Sequence, residues 1–224
     1  KNSEAQRGLF SDTETVFTQM DNAKRVWNGI QKKSNSAIKN VYFAFLSESK
    51  GIEMLLYRYI RKLFSPTDMM HLNFSDDTVL KISQLTKSVG REKHRMEAFV
   101  RFQLTKDGVY FANIEPDFDV LPLISKHFRS RYADQQWLIY DVKRKYGLFY
   151  DLNSVEIISL DLQEIHTNSI RKSSTFTTEE YDYQDLWNNY FKSTNIKSRI
   201  NMKLHTQHVP KRYWKYLSEK KQAV

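Results

Sequence analysis

Apolar residues in the first part of the chain recur every three or four positions, which is the spacing of an amphipathic helix. Four stretches share this spacing: Asp21–Lys33, Ser36–Ser49, Ile52–Phe64 and Val79–Val89. Ser75, Asp76 and Asp77 precede the fourth stretch and are residue types that cap helix N-termini. Gly90 follows it and predicts a weak point or a bend. The pattern therefore predicts a helical region over residues 1–95.

The apolar spacing changes to every second residue from Ala98, which is typical of a half-buried strand. Five stretches are predicted strands: 98–105, Val109–Ile114, Trp137–Val142, Tyr146–Leu152 and Val155–Leu160. Lys106-Asp107-Gly108 lies between the first two and is typical of a hairpin turn. A helical stretch from Val120 to Tyr132 separates the second strand from the third. The order ββαβββ predicts an α+β fold with a largely antiparallel sheet and a helix on one face.

We expect one compact domain built from four segments. The helical region of residues 1–95 packs on the sheet, and residues 96–160 form the antiparallel α+β core. A polar linker is expected over residues 161–177, followed by a C-terminal helical extension over residues 178–224. The extension begins with an aromatic-rich helix that runs from Thr178 to about Lys192.

The net charge and the absence of Cys limit the partners and the reactions that the chain can have. The chain has 35 Lys and Arg against 26 Asp and Glu, a net charge of +9, which favours polyanions. A generally basic protein without such a partner has the same composition. The absence of Cys excludes disulfides, thiolate-ligated zinc, protein-ligated iron–sulfur clusters and cysteine nucleophiles.

The sequence has no run close to the ~18 apolar residues that cross a bilayer. Its first residues, KNSEAQRG, contain neither an apolar signal core nor an initiator Met. We therefore expect a cytoplasmic protein with no membrane partner, present here as a fragment that lacks its native start.

A cluster of cations follows Gly90: Arg91, Lys93, His94 and Arg95. A bend at Gly90 would let backbone N–H groups and these side chains converge on one anion. His94 can exchange a proton near neutral pH. A solvated helix end, whose cations complement the C-terminal dipole, accounts for the same residues.

An acidic turn follows the second predicted strand and contains Glu115, Asp117 and Asp119. Paired carboxylates bind a divalent metal or divide acid and base roles. Helix capping by Asp117 or Asp119 is the simpler explanation. Asp141 ends a later strand, and Lys143 and Arg144 lie in the turn after it. These three residues approach the cationic cluster if the sheet is antiparallel, although a salt-bridged edge gives the same pattern.

The C-terminal stretch interleaves cations with rings. Lys211 and Arg212 are suited to phosphates, and Tyr213 and Trp214 are suited to base stacking or to docking on the core. We expect the two rings to dock and the two cations to remain available. His205 and His208 lack a third ligand, so no metal and no cofactor is assigned.

Five stretches, in order along nearly the whole chain, resemble a bacterial family of unknown function that is associated with DNA metabolism. They are YFAFLSESKGIE (Tyr42–Glu53), VGREKHRM (Val89–Met96), FANIEPDFDVLPLISKHF (Phe111–Phe128), YDVKRKYGLFYD (Tyr140–Asp151) and HVPKRYWKYLSEK (His208–Lys220). The resemblance implies a role in DNA repair or base modification. It also implies a partner, because members occur beside a radical-SAM protein and some are fused to a uracil-DNA-glycosylase-like domain. It implies no catalytic residues. Members open with a strand bearing Tyr-Asp-Gly and a helix, so we expect a strand or site residue to be missing here.

Three hypotheses follow. The first is a DNA-binding accessory protein that works with a partner enzyme through phosphate contacts. Its expected contacts are Arg91, Lys93, Arg95, Lys143, Arg144, Lys211 and Arg212. The second is an enzyme that acts on nucleic acid or a nucleotide. Its candidate catalytic residues are His94, Glu115, Asp117 and Asp141. The third is a scaffold whose basic surface binds an acidic protein.

Overall fold

The described residues of the N-terminal part are largely helical, as their apolar spacing predicts. A computed structural model describes residues 17–65, 73–159, 177, 180, 186 and 202–220. The first four helices are α1 (Met20–Lys33), α2 (Asn35–Phe45), α3 (Ile52–Leu63) and α4 (Asp77–Phe99). Asp76 is the N-cap of α4, and its carboxylate accepts hydrogen bonds from the backbone N–H groups of Thr78 (2.9 Å) and Val79 (3.2 Å). The predicted cap is therefore confirmed.

The α+β fold and the largely antiparallel sheet are also confirmed. The strands are β1 (Gln103–Leu104), β2 (Tyr110–Ile114), β3 (Trp137–Asp141), β4 (Tyr146–Tyr150) and β5 (Val155–Ile158), in that spatial order. Helix α5 (Leu121–Arg131) connects β2 to β3, which pair in parallel, whereas the other neighbours are antiparallel. The carboxyl ends of β2 and β3 therefore meet at one edge of the sheet.

The prediction of a strand from Ala98 was wrong at its start. Helix α4 continues to Phe99, and β1 is confined to Gln103 and Leu104. The side chains of Val89, Glu92 and Met96 are all buried, so the buried face of α4 keeps its three- and four-residue spacing up to the helix end. A short run that alternates apolar and polar residues does not distinguish a strand from the last helical turns.

The predicted bend at Gly90 is absent, because Gly90 lies inside the continuous helix α4. A Cβ atom at this position would lie 3.8 Å from Cε1 of Phe43, an ordinary contact distance. Packing on both sides of the helix thus outweighs the low helix propensity of glycine. The backbone N–H groups of the cationic cluster are consequently committed to the helix and do not form an anion-binding turn.

Among the described residues, two hydrophobic clusters form the core. One lies among α1 to α4 and contains Ile30, Tyr59 and Ile82. The other joins the sheet to α4 and α5, with Trp137 fully buried among the surrounding rings. These clusters place one face of α4 against the sheet and leave another to solvent.

The described C-terminal part packs on α4 and on the turn after β2. It consists of α6 (Met202–His208) and two 3₁₀ helices, Lys211–Tyr216 and Ser218–Lys220. Tyr213 belongs to the sheet cluster, so the predicted docking of this ring is confirmed. Of the predicted linker and aromatic helix, Thr177, Glu180 and Leu186 are described, and the remainder lies outside the described residues. No described helix combines the length and the apolar character needed to cross a membrane.

Candidate functional site

The edge at which β2 and β3 end holds a dense ionic network. Asp141, the last residue of β3, is 0% exposed and pairs in register with Ile114, the last residue of β2. Its Oδ1 atom accepts hydrogen bonds from the backbone N–H groups of Lys143 (2.9 Å) and Arg144 (3.1 Å). Its Oδ2 atom lies 2.8 Å from Nη1 of Arg144. The carboxylate of Asp141 therefore shapes the β3–β4 turn and fixes the arginine in it.

Arg144 spans from this turn to the acidic turn after β2. Its side chain is 8% exposed and lies 2.7 Å from the Glu48 carboxylate. It also donates hydrogen bonds of 3.1 Å each to the backbone carbonyls of Pro116 and Asp117. Lys143 donates to the carbonyl of Asp117 as well, through Nζ at 3.2 Å. The positive charge of Arg144 is thus used inside the protein, contrary to the predicted role in phosphate binding.

A second ionic cluster attaches the C-terminal segment to the same turn. Glu92 on α4 is 1% exposed, and its Oε1 atom accepts hydrogen bonds from the Asp117 N–H (2.9 Å) and the Tyr213 hydroxyl (2.5 Å). Its Oε2 atom lies 2.9 Å from Nη2 of Arg212 and 3.6 Å from Nη1 of Arg95. Arg212 Nη1 lies 2.7 Å from Asp117 Oδ2. Arg212, which was predicted to stay available for phosphates, therefore pairs with two carboxylates while its side chain remains 41% exposed, and its role in phosphate binding stays a prediction.

The remaining carboxylates of the acidic turn are also engaged. Glu115 accepts hydrogen bonds from Lys215 and from the hydroxyl of Tyr216 (2.6 Å), and the Lys215 bond is the main cause of its lowered pKa. Asp119 accepts one from the Tyr146 hydroxyl, while burial raises the pKa of Asp119. The N-cap of α5 is Val120, which forms no side-chain cap. The prediction that Asp117 or Asp119 caps this helix was therefore wrong.

We refer to the contacts made by Glu92, Asp117, Asp141, Arg144 and Arg212 as the ionic clamp. It joins α4, both strand ends and the C-terminal segment, and each of its carboxylates already faces a cation. Within the described ranges, no group of three or more His, Asp or Glu side chains is placed to hold a metal ion. The clamp therefore has the geometry of a structural ion-pair network that holds these segments together.

A basic groove of about 490 Å³ lies between α4 and α6. Its lining residues are Lys87, Gly90, Arg91, His94, Arg95, Gln207 and His208. Lys87, Arg91 and Arg95 recur at four-residue spacing, which aligns them on one face of α4. Among the described residues, no aspartate or glutamate lines the groove. The His94 side chain is 87% exposed, and Arg91 donates a hydrogen bond to Ser88 Oγ at 3.1 Å.

The structure divides the predicted site residues between these two places. Arg91, Arg95 and His94 meet in the groove, whereas Asp117 and Asp141 belong to the clamp. Glu115, Asp117 and Asp141 do not line the groove, so the four candidate catalytic residues are not gathered in it. Two predicted phosphate ligands have other contacts: Lys93 pairs with Glu97 at 2.6 Å, and Lys211 lies over the Trp214 ring at 5.9 Å.

Sequence reasoning missed Lys87, Gln207 and His208 as groove residues. Lys87 carried a usable signal, because it lies four and eight positions before Arg91 and Arg95 on one helical face. His208 and Gln207 carried no such signal, since their approach to α4 depends on docking of the C-terminal segment.

Comparison with known proteins identifies the family of this chain. Searches of curated proteins and of solved structures each returned no match. Residues 50–219, about three quarters of the chain, match DUF4130, a domain of unknown function. The matched region begins just before α3 and contains α4, the whole sheet, the clamp and the groove. On this match, the chain belongs to the DUF4130 domain family.

Proposed function

We propose that this protein binds DNA through the basic groove and serves as an accessory protein in DNA repair or base modification, together with a partner enzyme. The observation that carries the proposal is the lining of the groove, in which Lys87, Arg91 and two histidines lie with no carboxylate among the described lining residues. Arg95 extends this row of cations, although it also lies 3.6 Å from the Glu92 carboxylate. A polyanion gains most from such a surface, because each phosphate contact releases counterions.

The dimensions of the groove suit a nucleic-acid backbone. Lys87 and Arg95 are eight residues apart on α4, which corresponds to about 12 Å along the helix axis. Phosphates of one DNA strand recur about every 3.4 Å along the duplex axis, so the stripe has the length of roughly three to four phosphates. Lys and Arg contacts of this kind position a strand without reading its sequence.

The partner enzyme is proposed from the family resemblance, which implies a radical-SAM protein or a uracil-DNA-glycosylase-like protein. The chain has no Cys, so it has no thiolates with which to ligate an iron–sulfur cluster. Under this proposal, the partner supplies the reaction and this protein supplies the DNA contact.

The enzyme alternative has less support. It requires His94 to lie beside Glu115, Asp117 and Asp141, whereas His94 lines the groove and the carboxylates are bound by Lys215, Arg212 and Arg144. The scaffold alternative uses the same groove for an acidic protein, and it differs from the proposal in whether DNA is needed.

The proposal is tested by fluorescence anisotropy with short single-stranded, duplex and uracil-containing DNA at several salt concentrations. Wild-type affinity is expected to fall steeply with salt. The double variant Lys87→Gln/Arg91→Gln should bind duplex DNA more weakly, with a slope of log K against log salt that is smaller by about 1.8, or about 0.9 for each lost phosphate contact.

The matched control is Arg58→Gln/Lys81→Gln, which removes the same charge at exposed positions outside the groove. This control should keep nearly the wild-type slope. Equal losses in both double variants would show that net charge, and not the groove, governs binding. Absence of binding at low salt, together with capture of the partner enzyme that survives nuclease treatment, would favour the scaffold alternative.

A further inference from the structure

A separate concave site, the aromatic cavity, lies between the end of α4, the β1–β2 edge of the sheet and α5. Its volume is about 890 Å³, within the usual range for sites that enclose a small molecule. The rings that line it include Phe102, Tyr110, Tyr132 and Tyr216. It shares no lining residue with the basic groove, and neither the clamp nor the proposed DNA contact uses these rings.

The aromatic rings that line the cavity, the ring wall, are held in place by packing against one another. Phe102 makes edge-on contacts with Phe128 and Tyr132, with ring centroids 5.7 and 5.4 Å apart. Phe128 and Tyr132 stack with an interplanar angle of 10°. Phe102 and Tyr132 are only half-buried, so part of each ring remains exposed beside the cavity. A planar ligand can therefore stack there without the cost of ordering these side chains.

Polar groups around the rings suit the edge of a nucleobase. Gln103, Asn113 and Gln135 line the cavity, and each amide offers both donors and an acceptor. Amides of this kind recognise the mixed donor and acceptor pattern of a base edge, whereas a purely apolar ligand would leave them without partners.

The lining contains the carboxylates of Glu97 and Glu180 and also a cation suited to a phosphate. Arg101 pairs with Glu219 at 2.8 Å, and Lys215 pairs with Glu115. Arg131 at the end of α5 is exposed and lies over the Tyr132 ring at 5.8 Å. Within the part of the chain that the structure describes, Arg131 forms no salt bridge. Its guanidinium group can therefore bind an oxyanion beside the ring wall.

We propose that the aromatic cavity binds a nucleotide, with its base on the rings, its base edge at the amides and its phosphate at Arg131. The nucleotide is either free or part of a DNA strand. Both the groove and the cavity use α4, since Arg95 lines the groove and Glu97 and Ala98 line the cavity. Binding of a free nucleotide does not depend on the DNA contact proposed for the groove.

The test is calorimetric titration of the full chain with dAMP, dTMP, the matching nucleosides and inorganic phosphate. We expect saturable binding of the nucleotides and weaker binding of the nucleosides and of phosphate alone. Arg131→Glu should weaken nucleotide binding by at least about tenfold, because it replaces the proposed phosphate ligand by a repelling charge. Gln135→Ala should weaken nucleosides and nucleotides alike.

The matched control is Arg129→Glu on the same helix, because Arg129 donates to the backbone carbonyl of Asn153 and does not line the cavity. The proposal is overturned if no nucleotide binds saturably, if phosphate binds as tightly as dAMP, or if Arg129→Glu weakens binding as much as Arg131→Glu.

A short single strand distinguishes the two sources of the nucleotide. A strand that places a nucleotide in the cavity competes with dAMP, whereas a strand held only in the groove does not. Lys87→Gln/Arg91→Gln should leave dAMP binding unchanged. Failure of the groove proposal and failure of the cavity proposal therefore give different results.

Discussion

The hydroxyl of Tyr213 donates a hydrogen bond of 2.5 Å to the carboxylate of Glu92, although 121 positions separate the two residues in the chain. Glu92 lies inside α4 and Tyr213 in the 3₁₀ helix that follows α6, and the Tyr213 ring also packs on Phe99 at a centroid distance of 5.4 Å. This contact seats the C-terminal segment on α4. Because α6 supplies Gln207 and His208 to the basic groove, the contact also helps to form the proposed DNA surface.

Replacement of Glu92 by Ala should destabilise the protein by about 2–5 kcal/mol, because the change leaves the Tyr213 hydroxyl and the Asp117 N–H without their acceptor and removes one of the two carboxylates that pair with Arg212. Urea unfolding followed by circular dichroism measures the loss. Glu156→Ala, at an exposed position on β5, is the control and should stay within about 0.5 kcal/mol of wild type. Equal stabilities of the two variants would contradict a structural role for the clamp.

Replacement of Arg144 by Met should cost about 3 kcal/mol of stability, since it leaves the fully buried Asp141 carboxylate without its cation. Lys143→Met in the same turn loses only a hydrogen bond from an exposed side chain, so its cost should be about 1 kcal/mol or less. The double variant Asp141→Asn/Arg144→Met should recover part of the loss, because no unpaired charge then remains buried. Strictly additive costs in unfolding experiments would argue against this coupling.

Ionisation of Asp119 should lower the free energy of unfolding as the pH rises, whereas most carboxylates in folded proteins have the opposite effect. Its pKa is raised by burial, so the folded state holds the proton more tightly than the unfolded chain. Stability contributed by this group therefore falls as the pH rises from about 3.9, the unfolded value, through the folded pKa. Asp119→Asn removes this loss while keeping an acceptor for Tyr146. The stability of the variant relative to wild type should rise as the pH increases from the unfolded value through the folded pKa of Asp119.

Glu115→Gln should change the pH dependence of stability in the direction opposite to Asp119→Asn. Hydrogen bonds from Lys215 and Tyr216 lower the pKa of Glu115, so its contribution is present above the unfolded value of about 4.3 and is lost as the pH falls through the folded pKa. Relative to wild type, Glu115→Gln should lose stability as the pH rises through this window. Parallel pH profiles for the two variants would show that one of the assigned shifts has the wrong sign.

Replacement of Gly90 by Ala should stabilise the protein by about 0.5–1 kcal/mol, because the position is helical and has room for a methyl group. Gly147→Ala on β4 should be destabilising by about 1–3 kcal/mol, since its Cβ would lie 2.9 Å from the backbone oxygen of Ile139. Thermal unfolding of both variants measures the difference. A destabilised Gly90→Ala variant would indicate that α4 bends at this residue after all.

Local interactions explain why much of the architecture was predictable. Local structure depends on residues a few positions apart, so short stretches of sequence are sufficient to predict it. Examples are the helix periodicity, the cap at Asp76 and the alternation within β2 to β5. Their order then restricted the fold to α+β. The boundary of α4 escaped prediction because Ala98 and Phe99 fit both a short strand and a helical turn until the packing partners of Phe99 are known.

The arrangement of the candidate site was not predictable, because it depends on contacts between residues that are far apart in the sequence. Asp117 is bound by Glu92 across 25 positions, and Arg212 reaches Glu92 across 120 positions. In the sequence, Arg91 and Arg212 are equivalent members of two cationic stretches. Folding places Arg91 in a groove whose described lining has no carboxylate, and it places Arg212 against two carboxylates. The composition established the positive charge of the chain, but a charge remains available for a partner only where packing brings no opposite charge to it.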